Sequence, residues 1–383
     1  MVVDAELSRS KVDEHVFGAG TTLRFVLLLV LISASGGMMI SDLLQAWADP
    51  DNNQIGCRLA SGWDPSGQYG ANMMSAIGHN HESFEACIAN YQPAWWAPGL
   101  MIVLLVVAAA ALYVWLPFWK GRRGRVVPLE KIDPQGNLHR RLTNLVSVAG
   151  LRHAPRFVVD PAAATTSAVV FGHPRRYTVC LHGGLVARRV ADKEGFRAVV
   201  LHELAHIRNG DVRITYATVA LWRVFLVGVL LPSVISELKL LFSGLFLRTD
   251  SVFWVDWPET APENARAVLL TIFTVALVYL SRADLLRSRE TYADLTALHW
   301  GAAPKSWQHG GASAAARGSI RRTIGSFTEL WRTHPRWDLR EQLLTDSSAL
   351  FGLQAVPMFL TGAATALVAT TGAVSMVEVS GTE

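Results

Sequence analysis

The chain has 383 residues, of which 51% are hydrophobic and only 17% charged, and its formal net charge is +4. Soluble globular chains carry about 25% charged residues, so this balance excludes a disordered chain or a coiled coil, and three cysteines exclude a disulfide-dense miniprotein. What fits is a mainly α membrane protein that also has a folded polar part.

In chain order, residues 1–21 are polar with mixed charge, and the apolar run after them shows no cleavage site before Ser41 and Asp42, so this end is not expected to be a signal peptide. A membrane span needs about 20 mostly apolar residues. Five segments qualify: 22–40, 98–118, 214–235, 265–280 and 354–374. The segment 41–97 holds one basic residue, Arg58, whereas Lys120, Arg122, Arg123 and Arg125 follow the second span directly. This bias places 41–97 and 236–264 outside, and 1–21, 119–213 and 281–353 in the cytoplasm. Arg282, Arg287, Arg289, Lys305, Arg317, Arg321 and Arg322 agree with the last assignment. The basic run 120–125 is most simply a topology anchor, with anionic lipid contact secondary. Cys57 and Cys87 both fall on the outer side, where disulfides persist, and are expected to pair; Cys180 falls inside as a reduced core residue.

The inner part begins with β-branched or aromatic runs at Arg156–Asp160, Ala168–Phe171 and Tyr177–Leu181, read as two or three strands. Asp192–Asn209 reads as a helix closed by Gly210, and 283–300 as another helical stretch. Gly310–Gly318 is a low-complexity linker.

His202-Glu203-Leu204-Ala205-His206 matches His-Glu-x-x-His. On a helix, positions i and i+4 share a face, so both imidazoles reach one ion. Glu203 projects beside them and can act as general base on a water whose pKa a zinc ion lowers to about 7. A catalytic zinc takes three protein ligands and keeps one position open. Glu290 and Asp294, again i and i+4, supply a candidate third ligand and a candidate acceptor for the second N–H of a ligand histidine. Taken alone, the same two acids could be a solvated face paired with Arg287 or Arg289.

HELAHIRNGD (202–211), SRETYAD (288–294) and THPRWDLR (333–340) stand in the order of three signatures of the HtpX-like membrane zinc metalloproteases. Over roughly 120–345 the chain resembles this family of gluzincins, which is related to the CAAX prenyl proteases. The resemblance implies one zinc ion held by His202, His206 and Glu290, with Glu203 as base and Asp294 behind the ligands. It implies that Ser167, Ala168, Val169, Val170 and Phe171 form an edge strand for the substrate backbone. His334 matches a position suited to stabilising the oxyanion; Arg340 could do the same or serve in an ion pair. The chain departs from the family pattern in its fifth apolar segment, its long 41–97 loop, and Ser-Ala-Val where Asn-Ala-Phe is common.

The expected architecture is therefore about five transmembrane helices plus a cytoplasmic α+β zincin-type metalloprotease domain with a small β-sheet. The expected function is zinc endopeptidase action on membrane or misfolded polypeptides at the cytoplasmic face of a bacterial-type plasma membrane, in membrane protein quality control. The alternative is a sensor-transducer whose outer loop detects a ligand and whose inner domain cleaves a regulator. A polypeptide substrate and the lipid bilayer are the expected partners and nucleic acid is not; a homo-oligomer or a membrane partner stays open.

Overall fold

The computed structural model describes residues 14–49, 53–62, 78–123, 126–246, 253–303 and 358–366. Helix α1 (Glu14–Ala48) and helix α4 (Ala97–Arg123) carry the first two apolar runs, with the short helices α2 (Gln54–Ala60) and α3 (His81–Ile88) between them. A polar section follows: β1 (Val127–Pro128), α5 (Leu129–Ile132), α6 (Asn137–Val148), β2 (Arg156–Asp160), β3 (Ala168–His173), β4 (Arg176–His182), α7 (Gly183–Arg188) and α8 (Lys193–Arg208). Helix α9 (Asp211–Phe225) runs through one π-helical stretch, Leu226–Leu230, into α10 (Leu231–Phe246). Helix α11 is Phe253–His299, and residues 358–366 form a helical stretch, α12.

Among the described residues, four stretches are long and apolar enough to cross a membrane: Thr21–Ala48, Ala97–Trp119, Asp211–Lys239 and Val268–His299. On α4, Val103, Val106 and Val107 are each more than half exposed; a run of such residues suits a lipid surrounding rather than water. Of the fifth expected span, 354–374, all but 358–366 lies outside the described residues. Two expected boundaries differ. The segment 236–264, read as a loop, is helical up to Phe246 and again from Phe253. The span 265–280 and the helical stretch 283–300 are one helix, α11. The cause is local: no Gly or Pro occurs from Glu263 to Trp300, and Gly301, at φ 86°, supplies the left-handed residue that stops it.

The chain divides into two compact units. The first comprises Met1–Leu29, Ala111–Ala220 and Tyr279–Gly362. Its sheet has the order β1-β2-β4-β3, with β2 and β4 parallel and β3 and β4 an antiparallel hairpin. Strand β3 is therefore at an edge of the sheet. The three strands read from the sequence all form, each within two residues of its expected bounds. The two-residue β1 and the parallel pairing were not legible. Leu142 of α6, Val159, Val179 and Leu181 of the sheet, and Leu201 and Leu204 of α8 make one buried core. Asp192 caps α8 by accepting the Gly195 N–H at 2.7 Å.

The second unit comprises Val30–Ala110, Leu221–Val278 and Ala363–Glu383. In it Cys57 and Cys87 form a disulfide that joins α2 to the end of α3, with a Cα–Cα distance of 5.7 Å. Asp49 accepts the backbone N–H groups of Asn53 and Gln54 at 2.7 and 2.9 Å, and Gln45 and Gln54 both donate to the Tyr91 carbonyl at 3.0 and 3.2 Å. These bonds tie the described parts of the 41–97 segment to the end of α1.

Within the first unit, Arg24 of α1 meets the helix that carries Glu290. Its Nε lies 2.9 Å from Asp284 Oδ2, its Nη1 donates to the Tyr292 hydroxyl at 3.4 Å, and Arg287 flanks Asp284 at 3.6 Å. Both Arg24 and Asp284 are largely buried. Removing one partner of a buried ion pair strands the other charge and costs on the order of 3–5 kcal/mol, whereas removing both is often near neutral. Arg24→Leu should therefore lower the thermal unfolding midpoint in detergent clearly, and Arg24→Leu/Asp284→Leu should recover most of it. A double variant no better than the single one would show that Arg24 acts through other contacts.

Candidate metal centre

Helix α8 turns His202, Glu203 and His206 inward because its other side carries the core residues Leu201 and Leu204. His202 and His206 are one turn apart, and their Nε2 atoms lie 3.2 Å from each other. Helix α11 brings Glu290 to the same point: its Oε2 is 3.6 Å from His202 Nε2 and its Oε1 3.7 Å from His206 Nε2. The three residues offer ligand atoms that all lie within 4.8 Å of one another. Around a tetrahedral zinc with bonds of 2.0–2.1 Å, ligand atoms stand about 3.3 Å apart. The donor set, two imidazoles and a carboxylate, is the type that catalytic zinc takes with one position left open. The residues present thus fit the ion by both spacing and chemistry.

Each imidazole has a carboxylate at its back. Asp294, fully buried, puts Oδ1 2.8 Å from His202 Nδ1. Asp211 puts Oδ2 3.0 Å from His206 Nδ1. Such partners fix the ring so that Nε2 faces the ion, and they raise its basicity. Asp211 reaches this position because α8 ends at Gly210, whose φ of 73° reverses the chain before α9 starts. Sequence reasoning singled out Asp294 but gave Asp211 no role; its signal was the Asn-Gly turn directly after the motif helix. Arg289, read as an alternative surface partner of the acids, donates to Glu290 and to the Thr215 hydroxyl. It pairs with the third ligand candidate without displacing it from the cluster.

Glu203 is buried, and its Oε2 accepts the backbone N–H of Val170 at 3.0 Å. Val170 lies in β3, so this N–H points away from β4, toward the free edge of the strand. By the two-residue period of a strand, the backbone groups of Ala168 and Gly172 share that direction. Val169 is partly exposed and Phe171 partly buried, while Ser167 precedes the strand and turns its hydroxyl to His182 Nδ1 at 2.9 Å. His334 and Arg340 lie outside the described residues.

The electrostatics of the cluster follow from four buried acids around two imidazoles. Burial pulls the His202 imidazole down, but Asp294 and Glu290 outweigh it and push it up to about 10. Burial pushes the Glu203 carboxyl above its ordinary value, against the pull of His202 and His206.

The profile of Peptidase family M48 matches residues 133–347, more than half of the chain. The chain is similar to a protein named Protease HtpX homolog from Helicobacter pylori (strain Shi470), 23% identical over 207 residues, which is 51% of this chain and 60% of that protein. It is similar also to a Protease HtpX homolog from Kineococcus radiotolerans, 28% identical over 119 residues, 30% of this chain and 39% of the relative. The chain thus spans about 60% or less of the length of the curated relatives it matches. No solved structure matches.

Two outcomes are expected from this geometry. Asp211→Asn leaves His206 in place without its carboxylate, and should weaken zinc binding about 10–100-fold in chelator competition, with helix content unchanged. With His202 held up to about 10, it is protonated in the metal-free protein at neutral pH, and an incoming ion must expel that proton. Apparent zinc affinity should therefore rise with pH up to that value. Calorimetry in buffers of different ionisation enthalpy should show proton release on binding; none would mean that His202 rests neutral.

Proposed function

The chain belongs to peptidase family M48, and from that premise we propose that it is an integral membrane zinc-dependent endopeptidase. The observation that carries this reading is the convergence of His202, His206 and Glu290 beside a buried Glu203 that is tied to an edge strand. His202, His206 and Glu290 would hold the ion. Zinc, when bound, supplies a Lewis acid that acidifies water and polarises a carbonyl.

The remaining steps rest on the chain's own groups. A polypeptide segment lies extended along β3 and pairs with the outward-facing backbone of Ala168, Val170 and Gly172. Glu203 takes the proton of the attacking water and passes it to the leaving amine; burial holds its carboxyl above the ordinary value, the direction in which a carboxylate gains strength as a base. Asp294 and Asp211 hold the two imidazoles in place and leave them no freedom to turn away. The roles of His334 and Arg340 in stabilising the oxyanion stay with the resemblance of THPRWDLR to the family signature.

The Lys/Arg bias supports a site on the cytoplasmic side, with 119–213 and 281–353 inside and 41–97 outside. Membrane or misfolded proteins as substrates, and a place in membrane protein quality control, follow from the family resemblance. The disulfide between α2 and α3 gives the 41–97 segment a bridge of its own and favours a second reading, a sensor whose outer part gates the inner protease. Deleting most of 45–92 separates the two. Basal proteolysis survives under the first reading, and stimulus-dependent cleavage disappears under the second.

Glu203→Gln should bind zinc like the wild type and lose cleavage of unfolded casein by about 10²–10⁴-fold. Zinc in both proteins with equal cleavage would remove Glu203 from the reaction, and no zinc in either would remove the mechanism. Val170→Pro offers a second test. The Val170 N–H is bonded to Glu203, so the proline ring both blocks strand pairing and displaces that carboxylate, and cleavage should fall at least about tenfold; zinc content and melting temperature of the variant report whether the rest of the site is kept.

A further inference from the structure

The first unit has a concave feature that the peptidase reading does not use. It is a cleft of about 340 Å³ lined by Arg152, His153, Arg175, Tyr177, Ile207 and Arg208 among others. Its lining contains three guanidiniums and one imidazole, and no carboxylate. The three arginines come from three separate places. Arg152 is in the turn after α6, Arg175 is at the tip of the β3–β4 hairpin with a φ of 69°, and Arg208 ends α8. Arg208 is also fixed in place, because its Nη1 donates to the Gly150 carbonyl at 3.0 Å. Charges brought together from distant sequence positions repel one another, and a bound anion offsets that repulsion. Guanidiniums present a planar fork that matches the oxygens of a phosphate.

The position of the cleft narrows the source of that phosphate. Tyr177 lines the cleft and also packs against the apolar cluster of Leu116 from α4 and Val212 and Tyr216 from α9. Both helices contain candidate membrane spans. At the same end of α4, Phe118 contacts His173 of the hairpin, with ring centroids 5.4 Å apart, and Trp115 stacks on Trp119. Tryptophans at the end of an apolar helix mark the headgroup level of a bilayer. Arg208 stands three residues before the span that begins at Asp211. The cleft therefore adjoins the ends of two candidate spans, a setting in which basic pockets take anionic lipids.

We propose that the cleft formed by Arg152, Arg175, Arg208 and Tyr177 binds the phosphate of an anionic lipid headgroup. Its occupant is a membrane lipid, not a soluble phosphate or an acidic peptide, and the site stands independently of the peptidase reading.

The test uses the full chain in a neutral detergent, titrated with dioctanoyl phosphatidylglycerol, dioctanoyl phosphatidylcholine, inorganic phosphate and an acidic peptide. Binding is read by native mass spectrometry and by intrinsic fluorescence. Phosphatidylglycerol should bind at least about tenfold more tightly than the other three ligands. Arg152→Gln/Arg175→Gln should lose at least about tenfold of that affinity, with its melting temperature and zinc content unchanged. Should the double variant not fold, the exposed single change Arg152→Gln is expected to weaken phosphatidylglycerol binding severalfold. The proposal is overturned by equal affinity for the two lipids, by phosphate or peptide matching phosphatidylglycerol, or by variants that fold and bind phosphatidylglycerol like the wild type.

Discussion

Four carboxylates buried around two imidazoles are the arrangement on which the rest of the first unit depends. Glu203, Glu290, Asp211 and Asp294 all lie below the surface, and Asp294 has no exposure at all. Buried charge is tolerated only when it is paired or bound to metal. In the metal-free protein the pairing comes from His202 and His206 and from Arg289 against Glu290. Those partners are at most three cationic groups against four carboxylates. A divalent cation held by His202, His206 and Glu290 would put its charge beside these acids in place of the proton it displaces from an imidazole. The same acids that make the empty site costly thus make it a strong competitor for a cation.

This constraint also explains why α8 and α11 have their particular forms. The imidazoles need α8 to stay helical through His206 and then to stop at once, so that Asp211 can come back beneath it. Asn209 and Gly210 provide that stop. Glu290 and Asp294 need a helix that holds two acids on one face within reach of α8, and the unbroken α11 does so. Arg24 meets α11 through Asp284 and Tyr292, only two residues from Glu290 in the latter case. An error in the placement of α11 would therefore reach a candidate ligand directly. A long helix is a stiff support, which suits a site that must keep ligand atoms within a few tenths of an ångström.

What was legible in the sequence was local. The three main strands, the capped helix α8 and the His-Glu-x-x-His face all follow from short-range pattern, and each appears close to its expected bounds. Glu290 was legible only as a candidate, because i and i+4 acids taken alone could equally be a solvated face and it was the His-Glu-x-x-His motif and the family resemblance that singled them out. The role of Asp211 was not, since its position depends on a chain reversal and not on helical spacing. The length of α11 was missed because polar and apolar stretches were read as separate elements, although nothing in 263–300 breaks a helix. The parallel pairing of β2 with β4 and the link from Arg24 to Asp284, across 260 positions, are long-range facts that no local pattern carries.

The bond from Val170 to Glu203 joins the two halves of the proposed chemistry. One edge strand presents its backbone to a substrate, and one of its outward N–H groups is held by the proposed base. An extended polypeptide that pairs with β3 would compete for that N–H. On losing it, the carboxylate of Glu203 loses one hydrogen bond that favours its charged form, and its proton affinity rises. The base would then be strengthened at the moment a backbone is in register beside it and held weaker at rest. Recognition by main-chain pairing carries no side-chain preference of its own. A site built in this way responds to whether a segment is extended and accessible more than to its sequence, which is the property by which an unfolded chain differs from a folded one.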